Sequence, residues 1–407
     1  MFPFGSRFRP IVGVDIGTSA VKAVELRPAG KKWRLHHCSM QPLPADAIVD
    51  GQIKEPEAVA EAIRILIKEG KFSTKNAAIA VSGASVVIKK IQTPFMSELE
   101  LEDQIALEAE EYIPFGIDEV YLDFQILGTT TASEDEKNLE IILTACKKDA
   151  VEVRQELLRQ VGLTPLLCDV DLFALSNAYG SLLAPATSSG SDNGNIKGKS
   201  KGRTGKISKG GEKGKEKDSP KGPPTTGGKS GGETTAVCLV NTGATHLNID
   251  IIVEGNPVFT RDVAFGGNTL TRPLEQEYKN LTPQQMGAIL TEGAFIADGV
   301  RQEVPQFREE VIQPFFEQLV RQASQTVDFF NNTNPNTKIG MIHLSGGCAL
   351  LGGLEKRMEE MLSIPSRLAD PFASLSPEKK TLGAGVRPQD SPRFMIALGL
   401  ALRGGAL

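Results

Sequence analysis

The sequence predicts an α/β protein of two lobes, joined by a tether that forms no core of its own. Three observations carry this. The chain has 407 residues, more than the roughly 250–300 that one core usually serves. Strand-like and helical runs alternate on both sides of a compositional break at 184–235. The same strand–turn–strand opens each half: residues 12–19 (VGVDIGTS) align without gaps on 238–245 (CLVNTGAT).

The first half opens with β-branched runs at 11–16 and 20–26 and a third near 33–39. Residues 55–70 read as an amphipathic helix, with Val59, Ile63, Leu66 and Ile67 on one face and Gly70 as its stop. Strands follow at 76–81 and 85–91. Ser97 and Glu100 form a capping box for a helix running to Pro114. That helix turns Leu101, Ile105 and Tyr112 inward and Glu102, Asp103, Glu108, Glu110 and Glu111 outward. Strands at 120–127 and 138–146, a helix at 150–161 and a strand at 164–169 complete a compact α/β insert of about 91–168. A helix at 172–179 leads to the tether.

The second half restarts with strands at 235–240, 245–253 and 257–263. Helices follow at 268–278, 282–292, 304–331 (broken at Pro314), 354–362 and 391–402, and a strand at 338–344 runs into Ser345-Gly346-Gly347. The expected domains are a first lobe at 1–183, a linker at 184–235 and a second lobe at 236–407. The linker has no aromatic residue and carries 11 Lys and Arg against 5 Asp and Glu, so it is basic and cannot bury enough surface to order itself.

Composition excludes several classes. A net charge of −5 lacks the basic footprint of a nucleic-acid binder. Cys38, Cys146, Cys168, Cys238 and Cys348 form no CxxC pair and read as reduced core thiols. The four histidines share no metal-type spacing. The start, MFPFGSRFRP, is neither a signal peptide nor a membrane span, although Phe2, Phe4 and Phe8 with Arg7 and Arg9 have the chemistry to touch an anionic bilayer. A cytosolic location follows.

The repeated turn has its own chemistry. Gly17 and Gly243 let backbone N–H groups approach phosphate oxygens, and Thr18, Ser19 and Thr245 add hydroxyl donors. Asp15, before the first glycine, has the charge to order Mg²⁺ through its waters. One such hairpin is weak, since Asp and Gly favour tight turns for local reasons. Two copies, each opening one half, are much more specific. Gly266 and Gly267 precede a helix whose N–H groups could face a nucleotide. Gly346, Gly347 and Cys348 end a strand where bare backbone could lie against an adenine ring.

This ordered set resembles the superfamily of actin, the heat-shock ATPases and the hexokinase-type sugar kinases. Within it the chain is most similar to the PilM family of actin-like type IV pilus assembly proteins. The similarity is carried by IALEAEEYIPF (105–115), VYLDFQILG (120–128), RDVAFGGNTLT (261–271), FEQLVRQASQTVDFF (316–330) and DPF (370–372). The resemblance implies a bilobed actin-like ATPase fold with an FtsA-type insert in the first lobe. It also implies ATP and Mg²⁺ held by Asp15, Gly17, Thr18, Ser19, Lys22, Asn241, Gly243, Ala244, Thr245, Gly266, Gly267, Gly346, Gly347 and Cys348. The implied partners are the short cytosolic N-terminal peptide of a PilN-like inner-membrane protein, received in a groove beside the insert, and further pilus platform and motor proteins. The protein would then sit in the cytoplasm, peripheral to the inner membrane through those partners. A homo-oligomeric ring or filament would suit the family.

Two positions depart from the superfamily pattern. Asn241 stands where a second Asp is expected, and 282–292 (TPQQMGAILTE) supplies no Lys. Both weaken hydrolysis more than binding, so the expectation is ATP held with slow or absent turnover. A sugar kinase would need a carboxylate base beside a carbohydrate pocket, and none is evident. An FtsA-like scaffold would end in a basic amphipathic helix, whereas this chain ends ALRGGAL. A pseudo-ATPase scaffold without nucleotide is the remaining alternative.

Overall fold

The computed structural model describes residues 9–184 and 234–405, apart from positions 31, 50, 134–135, 305, 376 and 378. Phe2, Phe4, Arg7 and Phe8 and nearly all of the 184–235 linker lie outside the described residues.

In the first half β1 (Val12–Ile16), β2 (Ala20–Ala29) and β3 (Lys32–Pro42) form an antiparallel meander. A short ladder of β4 (Ile48–Val49) and β5 (Gln52–Ile53) leads into α1 (Pro56–Gly70), and β6 (Asn76–Val81) returns parallel to β1. The chain then builds β7 (Val86–Pro94), α2 (Glu98–Ala109), β8 (Val120–Ser133) and β9 (Glu136–Lys147). After α3 (Lys148–Gln160), β10 (Thr164–Val170) joins the main sheet parallel to β6, and α4 (Asp171–Ala178) follows. The sheet order is β10-β6-β1-β2-β3.

The second half repeats this plan. β11 (Thr234–Thr242), β12 (Leu247–Val253) and β13 (Asn256–Val263) make the meander. Next come α5 (Asn268–Glu277), α6 (Pro283–Glu292), a hairpin of β14 (Ala294–Ala297) and β15 (Val300–Glu303), and α7 (Gln313–Thr333). β16 (Thr337–Ser345) lies parallel to β11, α8 (Leu354–Leu362) follows, and β17 (Ser366–Leu368) lies parallel to β16. α9 (Pro371–Leu375) and α10 (Met395–Leu402) end the chain's regular structure. The order β13-β12-β11-β16-β17 is that of the first sheet, strand for strand. The repeated turn seen in sequence is thus the visible part of a duplicated sheet.

The two sheets belong to one compact unit. Between them lie α4, which follows β10, and α10, the last α-helix of the second half. Their side chains share one core with Val24, Leu26 and Leu35 of the first sheet and Leu239 and Ile252 of the second. The helices cross at Gly399, where a Cβ would stand 1.8 Å from the Ala174 carbonyl oxygen. Asn177 adds a hydrogen bond from its amide nitrogen to the Gly399 carbonyl, 2.9 Å. Gly399→Val therefore forces the helices apart and is expected to cost about 3 kcal/mol, read as the shift in a urea-unfolding midpoint. The outer face of the first sheet is covered by α1 and α3, and that of the second by α5 to α8.

Residues 87–146 form a second compact unit. Its three-stranded sheet, β7-β9-β8, carries α2 on one face over Ile91, Leu139, Ile141 and Leu143. The Ser97–Glu100 capping box is present. The insert read at 91–168 therefore ends sooner. α3 packs on the first sheet, and Thr164–Val170 hydrogen-bonds to β6, because a strand of this type finds its parallel partner in the main sheet.

Candidate functional site

The duplication places two equivalent turns at the ends of β1–β2 and β11–β12. In both, the residue before the turn pairs with the residue seven positions on: Asp15 with Lys22, and Asn241 with Asn248. In the first sheet this cross-strand pair is ionic, with Lys22 Nζ 2.7 Å from Asp15 Oδ2. In the second it is neutral, with Asn241 Nδ2 donating to Asn248 Oδ1 at 3.2 Å. Ser345, opposite Asn241 on β16, donates its hydroxyl to Asn241 Oδ1 at 3.1 Å. Asn241 is buried, and both ends of its amide are engaged within the sheet. The second turn has therefore exchanged a charge for a strand-end hydrogen-bond chain.

The turns meet. Thr18 Oγ1 lies 3.0 Å from Thr245 Oγ1, a hydrogen bond between residues 227 apart in sequence. Each turn is closed by its own backbone, Gly17 N–H to the Ala20 carbonyl (3.2 Å) and Gly243 N–H to the His246 carbonyl (2.9 Å). Ser19 is exposed beside them.

The other glycine elements brace the second turn. Gly267 and Asn268, at the start of α5, donate their N–H groups to the Gly243 and Ala244 carbonyls at 3.0 and 2.8 Å. Sequence reading aims those N–H groups at a ligand; here they hold the turn, and only because Gly266 lacks a side chain. A Cβ there would sit 2.7 Å from Gly243 and Ala244 backbone atoms. Cys348 donates its thiol to the Gly243 carbonyl at 3.6 Å, and burial pushes that thiol up to about 12. Gly346 has φ +88° and donates its N–H to the Pro392 carbonyl at 2.9 Å. Gly347, next to it, is exposed, and a Cβ there would meet nothing within 4 Å. It offers the bare backbone that a flat ring can approach.

One residue escaped sequence reading. Asp171 opens α4 just beyond β10, and its carboxyl is pushed up to about 7. Loss of hydration is the main cause, and the charge of Asp15 adds to it. A hydrogen bond from Ser82 and the charges of Arg154 and Lys22 oppose the rise. Two carboxylates from different elements thus crowd the first turn. The available signal was an Asp in the gap between the strand at 164–169 and the helix at 172–179, which reads as an ordinary acidic first turn.

The family profile described as "Type IV pilus assembly protein PilM" matches residues 13–194 and 229–405. The chain belongs to the PilM family. Its fold is accordingly the actin-like one, with the sheet duplicated as described. A solved structure titled "PilM-PilN type IV pilus biogenesis complex" superposes with a TM-score of 0.72 at 23% identity, covering 98% of this chain and 99% of that one. Weaker likeness reaches the ethanolamine utilization protein EutJ from Carboxydothermus hydrogenoformans, with TM-score 0.49, 13% identity and coverage of 98% and 90%. It also reaches MreB 5 of Spiroplasma citri bound to AMPPNP, with TM-score 0.45, 12% identity and coverage of 91% and 95%. Among the described residues no helix is long and apolar enough to cross a membrane.

Proposed function

We propose that this type IV pilus assembly protein is a nucleotide-pinned scaffold: ATP with Mg²⁺ joins the two duplicated turns, and the pinned form recruits a membrane partner. The observation that carries this is the Thr18–Thr245 contact. It brings the two glycine turns within one hydrogen bond of each other, so a phosphate chain exchanging that bond for its own would engage both sheets at once.

The residues present fit the ligand. Asp15 and Asp171 supply two negative groups close enough to perturb each other, and a cation held through water offsets that repulsion. Lys22 adds a positive charge for phosphate, and Gly347 leaves room for the base. Mg²⁺, when bound, would neutralise phosphate charge. Turnover is slow in this account because Asn241 is neutral and its amide is committed to Asn248 and Ser345.

The partner reading rests on the second unit. Its helix α2 exposes Leu99 and Leu107 at 74% and 73%, eight residues apart and so on one side of the helix. Phe95 and Tyr121 are exposed at 55% and 47%. Glu98, Glu102 and Asp103 on the same helix, and Glu110 at its end, are exposed as well. An apolar strip rimmed by acids suits an apolar peptide with basic residues. The N-terminal peptide of a PilN-like inner-membrane protein is our candidate, which would hold this protein at the membrane from the cytoplasmic side.

The test is a pull-down with that peptide, with and without ATP. Capture is expected to need ATP and to fall about tenfold in Leu107→Glu, the loss of one buried apolar anchor. Equal capture without ATP, and by the variant, would overturn the reading.

A further inference from the structure

Arg393 lies on the short helical turn Pro388–Phe394 that leads into α10. The carbonyl of its neighbour Pro392 takes the Gly346 N–H at 2.9 Å, so this turn is docked on the 345–347 glycine strip. The Arg393 charge reaches the same strip. Burial pushes the Cys348 thiol up, and the positive charge of Arg393 opposes that rise. Arg393 and the bare backbone of Gly347 therefore stand on either side of one corner of the second half.

The bonding of Arg393 is incomplete. Its Nη1 is 3.9 Å from Asp390 Oδ1, too far for a hydrogen bond. Asp390 is buried and already committed to Arg387, accepting from its backbone N–H at 2.9 Å and from its Nε and Nη2 at 3.2 Å each. Arg393 Nε is buried and has no hydrogen-bond partner among the described residues, although the side chain as a whole is 34% exposed. Buried donors are rarely left so, and Asp390 does not depend on this second arginine.

We propose that Arg393 clamps the base of the bound nucleotide, its guanidinium stacking on a purine laid against Gly346 and Gly347. This rests on the nucleotide reading above and names what selects the ligand within it. A guanidinium is planar and delocalised, so it stacks on a ring face where an ammonium cannot. A purine offers two fused rings to that plane and a pyrimidine one, so purine nucleotides are preferred. A contact to phosphate fits less well. The phosphate-side charge, Lys22, stands at the first turn beside Asp15, whereas Arg393 stands at the strip where a Cβ on Gly347 would meet nothing.

The test is calorimetry on the full chain with ATP, CTP and inorganic tripolyphosphate, each with Mg²⁺, for the parent, Arg393→Gln and Arg393→Lys. The parent is expected to bind ATP about tenfold more tightly than CTP. Both variants should bind ATP about tenfold more weakly than the parent, the scale of a desolvated cation–ring contact, and lose most of the preference over CTP. Their tripolyphosphate affinity and melting temperature should match the parent's, since Asp390 keeps Arg387. Parental ATP affinity in Arg393→Lys would overturn the clamp, because lysine keeps the charge without the plane. An equal loss for ATP and tripolyphosphate would overturn it too, making Arg393 a phosphate contact. A parent that binds no ATP would instead overturn the nucleotide reading on which the clamp rests.

Discussion

A Gly347→Leu protein will melt as the parent does and bind ATP about 100-fold more weakly, a loss of about 2.7 kcal/mol. The two halves of that expectation have separate causes. Gly347 has φ −66°, an ordinary helical value, and a Cβ there meets no atom within 4 Å, so the fold does not notice the side chain. A base lying against the 346–347 backbone would meet it fully. Its neighbour behaves oppositely. Gly346 holds φ +88°, and a Cβ would stand 2.3 Å from the Thr242 carbonyl oxygen. Gly346→Ala is therefore expected to cost about 3 kcal/mol of stability, and its weaker ATP binding would be secondary. Isothermal calorimetry beside thermal melts distinguishes the two. A Gly347→Leu protein with parental ATP affinity would move the adenine site elsewhere.

Asp171→Asn is the second large effect, and its sign depends on the quantity measured. The Asp171 carboxyl titrates at about 7 in the folded protein, above the ordinary aspartate value of 3.8. Between about pH 4 and pH 7 the folded state therefore holds a proton that the unfolded chain has released, and stability without ligand falls as pH rises through that window. Cation binding needs the ionised form, so Mg²⁺-dependent ATP affinity rises across the upper part of the same window. Asp171→Asn should flatten both slopes, leaving a protein more stable at pH 8 but less responsive to Mg²⁺. Residual ATP turnover should drop by about 100-fold, the scale for losing one charged group that organises the site around the phosphates. Melting curves and Mg²⁺ titrations from pH 5 to about 8.5 give both readings. Parallel profiles for parent and variant would remove Asp171 from the site.

Much of the fold was legible in the sequence because its signals are local. The capping box at Ser97–Glu100, the stop at Gly70 and the turns around Gly17 and Gly243 all depend on near neighbours, and the structure carries each of them. The gapless match of 12–19 on 238–245 revealed the duplication, although only the shared strand order shows that it extends to whole sheets. What stayed hidden depends on distant partners. Nothing near Thr164–Val170 says that its ladder partner is β6 and not the insert. Nothing near Gly266 says that the following N–H groups are taken by Gly243 and Ala244. Asp171 looks like any helix-opening acid until Asp15, 156 positions earlier, is placed beside it. Asn241 is read in sequence as a lost carboxylate, and the structure adds why the loss is tolerated: Asn248 and Ser345 make the amide part of the sheet's own hydrogen bonding.

Nucleotide is expected to pin the two turns together through Thr18 and Thr245. That pinning is tested most directly by calorimetry of ATP–Mg²⁺ binding to the parent and to the Thr18→Val, Thr245→Val double variant, with turnover followed in the same samples. The expected result is saturable binding by the parent with slow turnover, and affinity reduced by at least about tenfold in the double variant, which loses two hydroxyl contacts. Absence of binding heat in the parent, or parental affinity in the double variant, would contradict it.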